Sequence, residues 1–272
     1  MKHYIQVTVG PLTALQCDVL IAEMSAIGFY AFESEADSVT GYVREEDFDE
    51  SACRALVPAG RQPQIAFLEE KNWNEAWESS FQPVIVGNFA GIRASFHPPV
   101  SGVRHEVIIT PKMSFGTGHH ATTWLMIEAL QDLDVAGKSV LDFGTGTGVL
   151  AILAEKMGAR SVTAVDIDPW SIRNAAENLS VNGCRGINLL HRDNIRDVQG
   201  VDIIMANINR DVLLENARDL ASALRERASV LLASGLLEGD REAVEQRFRA
   251  CGMRAVAWTS REGWIRVLFE KQ

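Results

Sequence analysis

Asp142-Phe143-Gly144-Thr145-Gly146-Thr147-Gly148 places an acid ahead of three glycines at every second position. Apolar Val140 and Leu141 precede it, and a stretch apolar on one face runs from Val149 to Met157. The pattern predicts a strand, a tight turn and a helix. Glycine belongs where a backbone turns sharply and must approach a ligand with no side chain between them. The helix that follows points its free amides at the turn, which suits a polar or anionic group. Ser161–Asp166 predicts a second strand ending in an acid, roughly 20 residues past the first glycine. A carboxylate there can accept hydrogen bonds from ribose hydroxyls. Pro169 opens the next helix, and the whole predicts a nucleoside cofactor.

The spacing separates two cofactor classes. A dinucleotide fingerprint needs a third glycine where this chain has Val149, which disfavours a nicotinamide oxidoreductase. The Asp-x-Gly-x-Gly-x-Gly pattern resembles the first motif of the class I S-adenosylmethionine-dependent methyltransferases. That resemblance implies S-adenosyl-L-methionine as cofactor and a seven-stranded, Rossmann-like α/β domain.

Two further segments bear on the substrate. Phe115-Gly116-Thr117-Gly118-His119-His120-Ala121-Thr122-Thr123 precedes an apolar helix expected over Trp124–Leu133. It reads as a loop across the mouth of the cofactor site, with Phe115 as apolar wall and Thr123 as hydroxyl donor. Adjacent histidines diverge on a helix and no H-E-x-x-H motif is present, so no metal is expected. Asn207 ends the apolar strand Val201–Ala206, where ligand sites in such sheets lie. Related enzymes that methylate amide or base nitrogens open an Asn-Pro-Pro-aromatic loop at this position. Asn207-Ile208-Asn209-Arg210 has neither proline nor aromatic, which argues for an sp³ amine.

The order of these motifs, with Asp166-Ile167-Asp168-Pro169 and an Asn-Trp-Asn-Glu-Ala-Trp run at residues 72–77, is similar to the PrmA family. These bacterial methyltransferases modify large-subunit ribosomal protein eleven. The resemblance is close over roughly residues 71–235. It implies cofactor contacts at Thr123, Asp142, Gly144, Gly146, Asp166 and Asn207, with Phe115 and Asn207 at the accepting amine. It further implies lysine and possibly N-terminal amines as acceptors, on that ribosomal protein free or before assembly. The alternative substrate is a different basic protein, and a non-catalytic cofactor-binding adaptor is the alternative outside the enzymes.

The chemistry asks little of the protein beyond placement. An amine lone pair attacks a sulfonium methyl in line, so positioning supplies much of the catalysis. A free lysine, with pKa ≈ 10.4, is neutral in only about one molecule in a thousand near pH 7.4, a cost of about 4 kcal/mol. An apolar, water-poor mouth lowers that pKa by disfavouring the ammonium. No dedicated general base is evident.

The rest of the chain must hold these groups in place. Its 272 residues are enough for one large domain and one small one. Apolar content of 47% and charged content of 23% are ordinary for a soluble globular protein. No apolar run reaches the ~18 residues of a membrane span, and the N-terminal residues lack a signal-peptide pattern. Cys17, Cys53, Cys184 and Cys251 lie far apart and read as buried thiols, so the expected compartment is the cytoplasm. Net charge is −10, and residues 1–68 hold ten acids against four basic residues, contributing −6 of it. Such a surface repels nucleic-acid phosphates and attracts a basic partner.

Within that segment the periodicity predicts β-α-β-β-α-β, with strands at His3–Val9, Tyr30–Glu35, Val39–Arg44 and Gln64–Glu69 and helices at 12–27 and 50–57. This is a ferredoxin-like order and, with no catalytic cluster in it, a recognition domain. The expected division is residues 1–68 for recognition, a linker helix at 69–82 carrying Trp73, Trp77 and Phe81, and the methyltransferase domain at 83–272. A monomer is expected. Later elements are a hairpin of Val84–Val86 with Ile92–Phe96, a single helix at 211–223, a strand at 229–233, a helix at 238–250 and closing strands at 253–258 and 264–270.

Overall fold

The structure is a computed structural model and describes residues 3–34, 37–58, 60–69, 82–112, 115–225 and 228–272. The chain divides into two compact units, Met1–Ser80 and Phe81–Gln272. Of the range 69–82 expected for the linker helix, residues 70–81 lie outside the described ones.

In the first unit, β1 (His3–Val9), α1 (Ala14–Ala26), β2 (Ala31–Ser34), β3 (Val39–Arg44), α2 (Glu50–Leu56) and β4 (Gln64–Glu69) follow in the anticipated succession. The sheet order is β2-β3-β1-β4 with every neighbour antiparallel, the ferredoxin-like arrangement. Local chemistry starts both helices. Thr13 and Gln16 form a capping box at α1, and the Asp49 carboxylate accepts from the Ser51 and Ala52 amides at α2. Alternation in β1 sends Ile5, Val7 and Val9 into a core with Leu20, Met24, Val39 and Val43.

The second unit is built on seven strands: β8 (Ser139–Phe143), β9 (Ser161–Asp166), β10 (Ile187–His191), β11 (Ile203–Asn207), β12 (Val230–Leu237), β13 (Met253–Arg261) and β14 (Trp264–Lys271). Their order is β10-β9-β8-β11-β12-β14-β13; the first five are parallel, and β14 is antiparallel to both neighbours. This is the expected seven-stranded α/β sheet. Helices α3 (Ala121–Leu130), α4 (Val149–Lys156) and α5 (Pro169–Val181) pack on one face through Met126, Ile127, Leu150, Ala151 and Ala175. Helices α6 (Arg210–Glu215), α7 (Ala217–Ala223) and α8 (Arg241–Arg249) cover the other through Leu213, Leu220, Val244 and Phe248. Covered on both faces, the central strands read as unbroken apolar runs. A separate sheet joins β5 (Val84–Val86) antiparallel to β6 (Ala90–Arg93), which lies parallel to β7 (His105–Ile108).

Several boundaries differ from the sequence reading, each for a local reason. Helix α3 begins at Ala121, three residues early, because His120 caps it by accepting the Thr122 amide. Thr123 therefore stands in a helix and not in a loop. The helix expected over 211–223 is two helices divided at Asn216, whose side chain donates to the Val212 carbonyl at 2.9 Å. An amide side chain bonded back on its own turn competes with the helix ladder. The second hairpin strand is residues 90–93, and β12 continues to Leu237 through an irregularity between Ala233 and Leu236. Cys17 and Cys53 are buried, but Cys184 and Cys251 are only half-buried.

Candidate active site

A cavity of about 590 Å³ opens where β8, β9 and β11 end, lined by Phe143, Gly144, Val165, Asp166 and Asn207 among others. Carboxyl ends of parallel strands are where such sheets bind ligands, because the strand-to-helix turns leave backbone groups unpaired there.

On one side stands the glycine turn. The Gly144 and Thr145 amides donate to the Val165 carbonyl at 2.8 and 2.9 Å, which ties the turn to β9. Asp166 is held from both sides, Oδ2 accepting from the Gly146 amide at 2.8 Å and Oδ1 from the Asp168 amide at 2.9 Å. A carboxylate has about four acceptor sites, so the group keeps capacity for ligand hydroxyls. The Asp168 side chain in turn caps α5, accepting from the Trp170 and Ser171 amides. Gly146 has φ +55°, and a Cβ there would be driven into the Phe115 carbonyl oxygen, so only glycine fits.

Asp142 does not line this cavity. Alternation along β8 points it to the same face as Val140, toward α4, where it is 1% exposed. Oδ2 accepts from the Thr145 hydroxyl at 2.6 Å, while Oδ1 makes no hydrogen bond. Burial raises its pKa to about 7, opposed by the Thr145 hydroxyl and the Ala151 amide and reinforced by the charge of Asp166. Asp142, expected as a contact residue, is thus placed beneath the turn, bonded to Thr145.

The other side of the cavity is aromatic. The Phe115 ring packs edge-on against His120 at 5.1 Å, and His120 against Trp264 at 4.7 Å. All three line the cavity. The Thr122 amide donates to His120 Nδ1, and the Thr122 hydroxyl lies 2.8 Å from the same nitrogen. Between this wall and the glycine turn lies Asn207. Its Nδ2 donates to the Thr123 hydroxyl oxygen at 3.2 Å, and its buried Oδ1 has no partner. Thr123 is fully buried behind Asn207 and does not reach the cavity, because the early start of α3 turns it inward. A buried acceptor without a donor costs free energy.

The loop after β11 is fixed by its own polar residues. Asn209 caps α6 by accepting the Val212 amide at 3.0 Å, and Arg210 bridges Asp211 and Asp240 at 2.8 and 3.3 Å. His119 lies between Thr117 and the Gln82 carbonyl. No group of three metal-ligating side chains occurs among the described residues.

The structure thus brings Phe115, Gly144, Gly146, Asp166 and Asn207 to one cavity and leaves Thr123 and Asp142 behind its walls. Sequence reasoning missed His120 as a wall residue and missed Trp264 entirely. Trp264 sits at the start of the last strand, and nothing in its local pattern marks it out. Val165 and Ile167 add apolar surface beside the acid. An acid with spare acceptors, apolar walls and a turn open to close approach suit the ribose, base and amino-acid chain of S-adenosylmethionine.

The family model for ribosomal protein L11 methyltransferase (PrmA) matches residues 12–272. A ribosomal protein L11 methyltransferase of Phocaeicola vulgatus is 35% identical over 277 residues, covering 98% of both chains. One from Porphyromonas gingivalis is 38% identical over 261 residues, covering 93% of this chain and 90% of that one. Among solved structures, a ribosomal protein L11 methylase from Lactobacillus delbrueckii subsp. bulgaricus superposes with a TM-score of 0.65 at 29% identity. It covers 71% of this chain and all of that one.

Proposed function

The chain belongs to the ribosomal protein L11 methyltransferase (PrmA) family, and on that premise we propose that it methylates amino groups of ribosomal protein L11 at the cavity between the glycine turn and the aromatic wall. It is an S-adenosylmethionine-dependent methyltransferase. When bound, the cofactor supplies an activated methyl on a sulfonium. Gly144 and Gly146 admit it to the backbone, and Asp166 accepts from its ribose hydroxyls. Asp142 and Thr123 act one layer back, on the turn and on Asn207.

The observation that carries the reading is the unpartnered Oδ1 of Asn207, buried between the two walls. Oδ1 accepts an N–H of the incoming amine and turns the nitrogen lone pair toward the turn. Phe115, His120 and Trp264 keep water from that nitrogen. Phe115 is itself 51% exposed, so the substrate's own surface completes the exclusion. The released proton passes to solvent, since among the described residues no carboxylate or free imidazole nitrogen is held against Asn207.

Residues 1–68 present the protein substrate, with their excess of acids drawing a basic partner. The acceptors are lysine side chains and N-terminal amines on the free ribosomal protein, in the cytoplasm, and the enzyme acts as a monomer. Incubating the purified protein with S-adenosylmethionine and isolated L11, followed by intact-mass analysis, tests the proposal. Increments of one methyl mass on L11, abolished by Asn207→Ala, are expected. An unmodified L11 alongside another labelled basic protein would move the assignment to that protein.

A further inference from the structure

We infer that Thr147, which touches neither ligand, is the positioning residue that locks the amine wall to the cofactor turn. The inference rests on the assignment of the two walls above. Thr147 is fully buried and absent from the cavity lining. Its backbone amide donates to the Phe115 carbonyl at 3.0 Å, and its hydroxyl donates to the Gly116 carbonyl at 2.7 Å. Two successive carbonyls of the amine loop are thus taken by one residue of the glycine turn.

The same residue is anchored from behind. Its carbonyl accepts from Asn178 Nδ2 at 2.8 Å, and Asn178 Oδ1 accepts the Thr110 amide at 2.8 Å. Asn178 is fully buried on α5. The chain ahead of the amine loop, the loop itself and the cofactor turn therefore share one polar junction. Steric fit on both sides matches it. Gly116 has φ +106°, and a Cβ there would lie 2.8 Å from the Thr147 hydroxyl. Gly146 has no room for one because the Phe115 carbonyl occupies the space.

The consequence is mechanical. The backbone that carries Phe115 and leads on to His120 cannot shift relative to Gly144–Gly146 without breaking the Thr147 bonds. Placement errors near 1 Å can cost about a hundredfold in rate. A ligand on the turn also stabilises the loop, and the coupling is reciprocal.

Thr147→Val keeps the shape and removes the hydroxyl donor; Thr147→Ser keeps the donor. For Thr147→Val we expect kcat on L11 to fall by up to about tenfold, no further than for removal of the Phe115 ring itself, with S-adenosylhomocysteine affinity close to wild type. Thr147→Ser should retain most of the activity. Gly116→Ala, made from the loop side, should reproduce the loss. Independently of any substrate, S-adenosylhomocysteine should slow amide exchange across residues 115–120 in wild type and in Thr147→Ser, but not in Thr147→Val. Unchanged kcat in Thr147→Val, or cofactor affinity falling in step with kcat, would overturn the inference. So would Thr147→Ser failing as badly as Thr147→Val. If Thr147→Val does not fold, unchanged kcat in Gly116→Ala overturns it. A wild-type protein that binds S-adenosylhomocysteine but leaves L11 unmodified defeats the substrate assignment alone, and the exchange contrast still decides the role of Thr147.

Discussion

On the cofactor side of the cavity the key groups come from one continuous stretch, Gly144 to Ser171, and its polar atoms are already engaged with one another. The amine side draws Phe115 and His120 from ahead of that stretch, Asn207 from β11 and Trp264 from β14. It contains an acceptor with no donor, Asn207 Oδ1, and a half-exposed ring, Phe115. One wall is complete before any ligand arrives; the other is finished by its ligand. Stability and cofactor affinity should therefore reside in the first wall and rate in the second, and substitutions can be ranked by that division.

Asn207→Ala should have the largest effect. It removes the acceptor we propose for the amine and leaves the Thr123 hydroxyl without its donor. A loss of about a hundredfold or more in kcat is expected from misorientation alone, with a much smaller change in S-adenosylhomocysteine affinity. Isothermal calorimetry paired with single-turnover rates separates the two. A loss of affinity as large as the loss of rate would place Asn207 with the cofactor wall.

The same division explains what the sequence could reveal. The cofactor wall is written in local spacing: three alternate glycines need a turn, and an acid closes the next strand 20 residues past Gly146, from whose amide it accepts. Strand and helix periodicity supplied both, along with the β-α-β-β-α-β order of the first unit. The amine wall is a product of tertiary packing. Trp264 and His120 meet only because β14 lies beside β12 in the sheet and α3 packs across that face. No periodicity encodes such a meeting. Thr123 and Asp142 stand behind the cavity walls for a different reason. Motif position shows that a residue matters to the site but not which layer it occupies, and layer depends on helix start and strand parity.

Asp166→Ala should have the next largest effect, on the first wall. The substitution removes the acceptors we propose for ribose, each charge-assisted bond worth roughly 1.5–3 kcal/mol, giving about a ten- to hundredfold loss of affinity or more. It also frees the Gly146 and Asp168 amides, so thermal stability should fall as well. Calorimetry with unchanged affinity would reject Asp166 as a ribose contact.

Asp142→Asn tests the same wall without touching a ligand. The folded pKa of Asp142 is about 7, raised mainly by burial, against an ordinary value near 3.9. Between those values the folded state holds a proton that the unfolded chain has released. Its stability therefore declines as pH rises through the window and levels off above pH 7. The decline is at most about 1.4 kcal/mol per pH unit. The carboxamide of the variant cannot ionise, so the Tm difference between variant and wild type should grow in the variant's favour from pH 5 to pH 8 by a few degrees. A difference that stays flat across that range would show Asp142 to be ionised throughout.

Phe115→Ala should produce the smallest shift and is the finest test of the second wall. Because the ring is half-exposed, it shields the amine from one side only, with His120 and Trp264 remaining behind it. Removing it admits water, eases ionisation of the amine and raises the pKa that governs kcat toward the ≈ 10.4 of free lysine. The shift should stay below about one unit, so the rate near neutral pH falls by less than about tenfold. At high pH, where the amine is neutral with or without the ring, the two rates should converge. S-adenosylhomocysteine affinity should hardly change, since the glycine turn meets Phe115 through its backbone carbonyl and not its ring. A pH–rate profile that superimposes on wild type would assign water exclusion to His120 and Trp264 alone. A uniform loss at every pH would make Phe115 a positioning group for the amine.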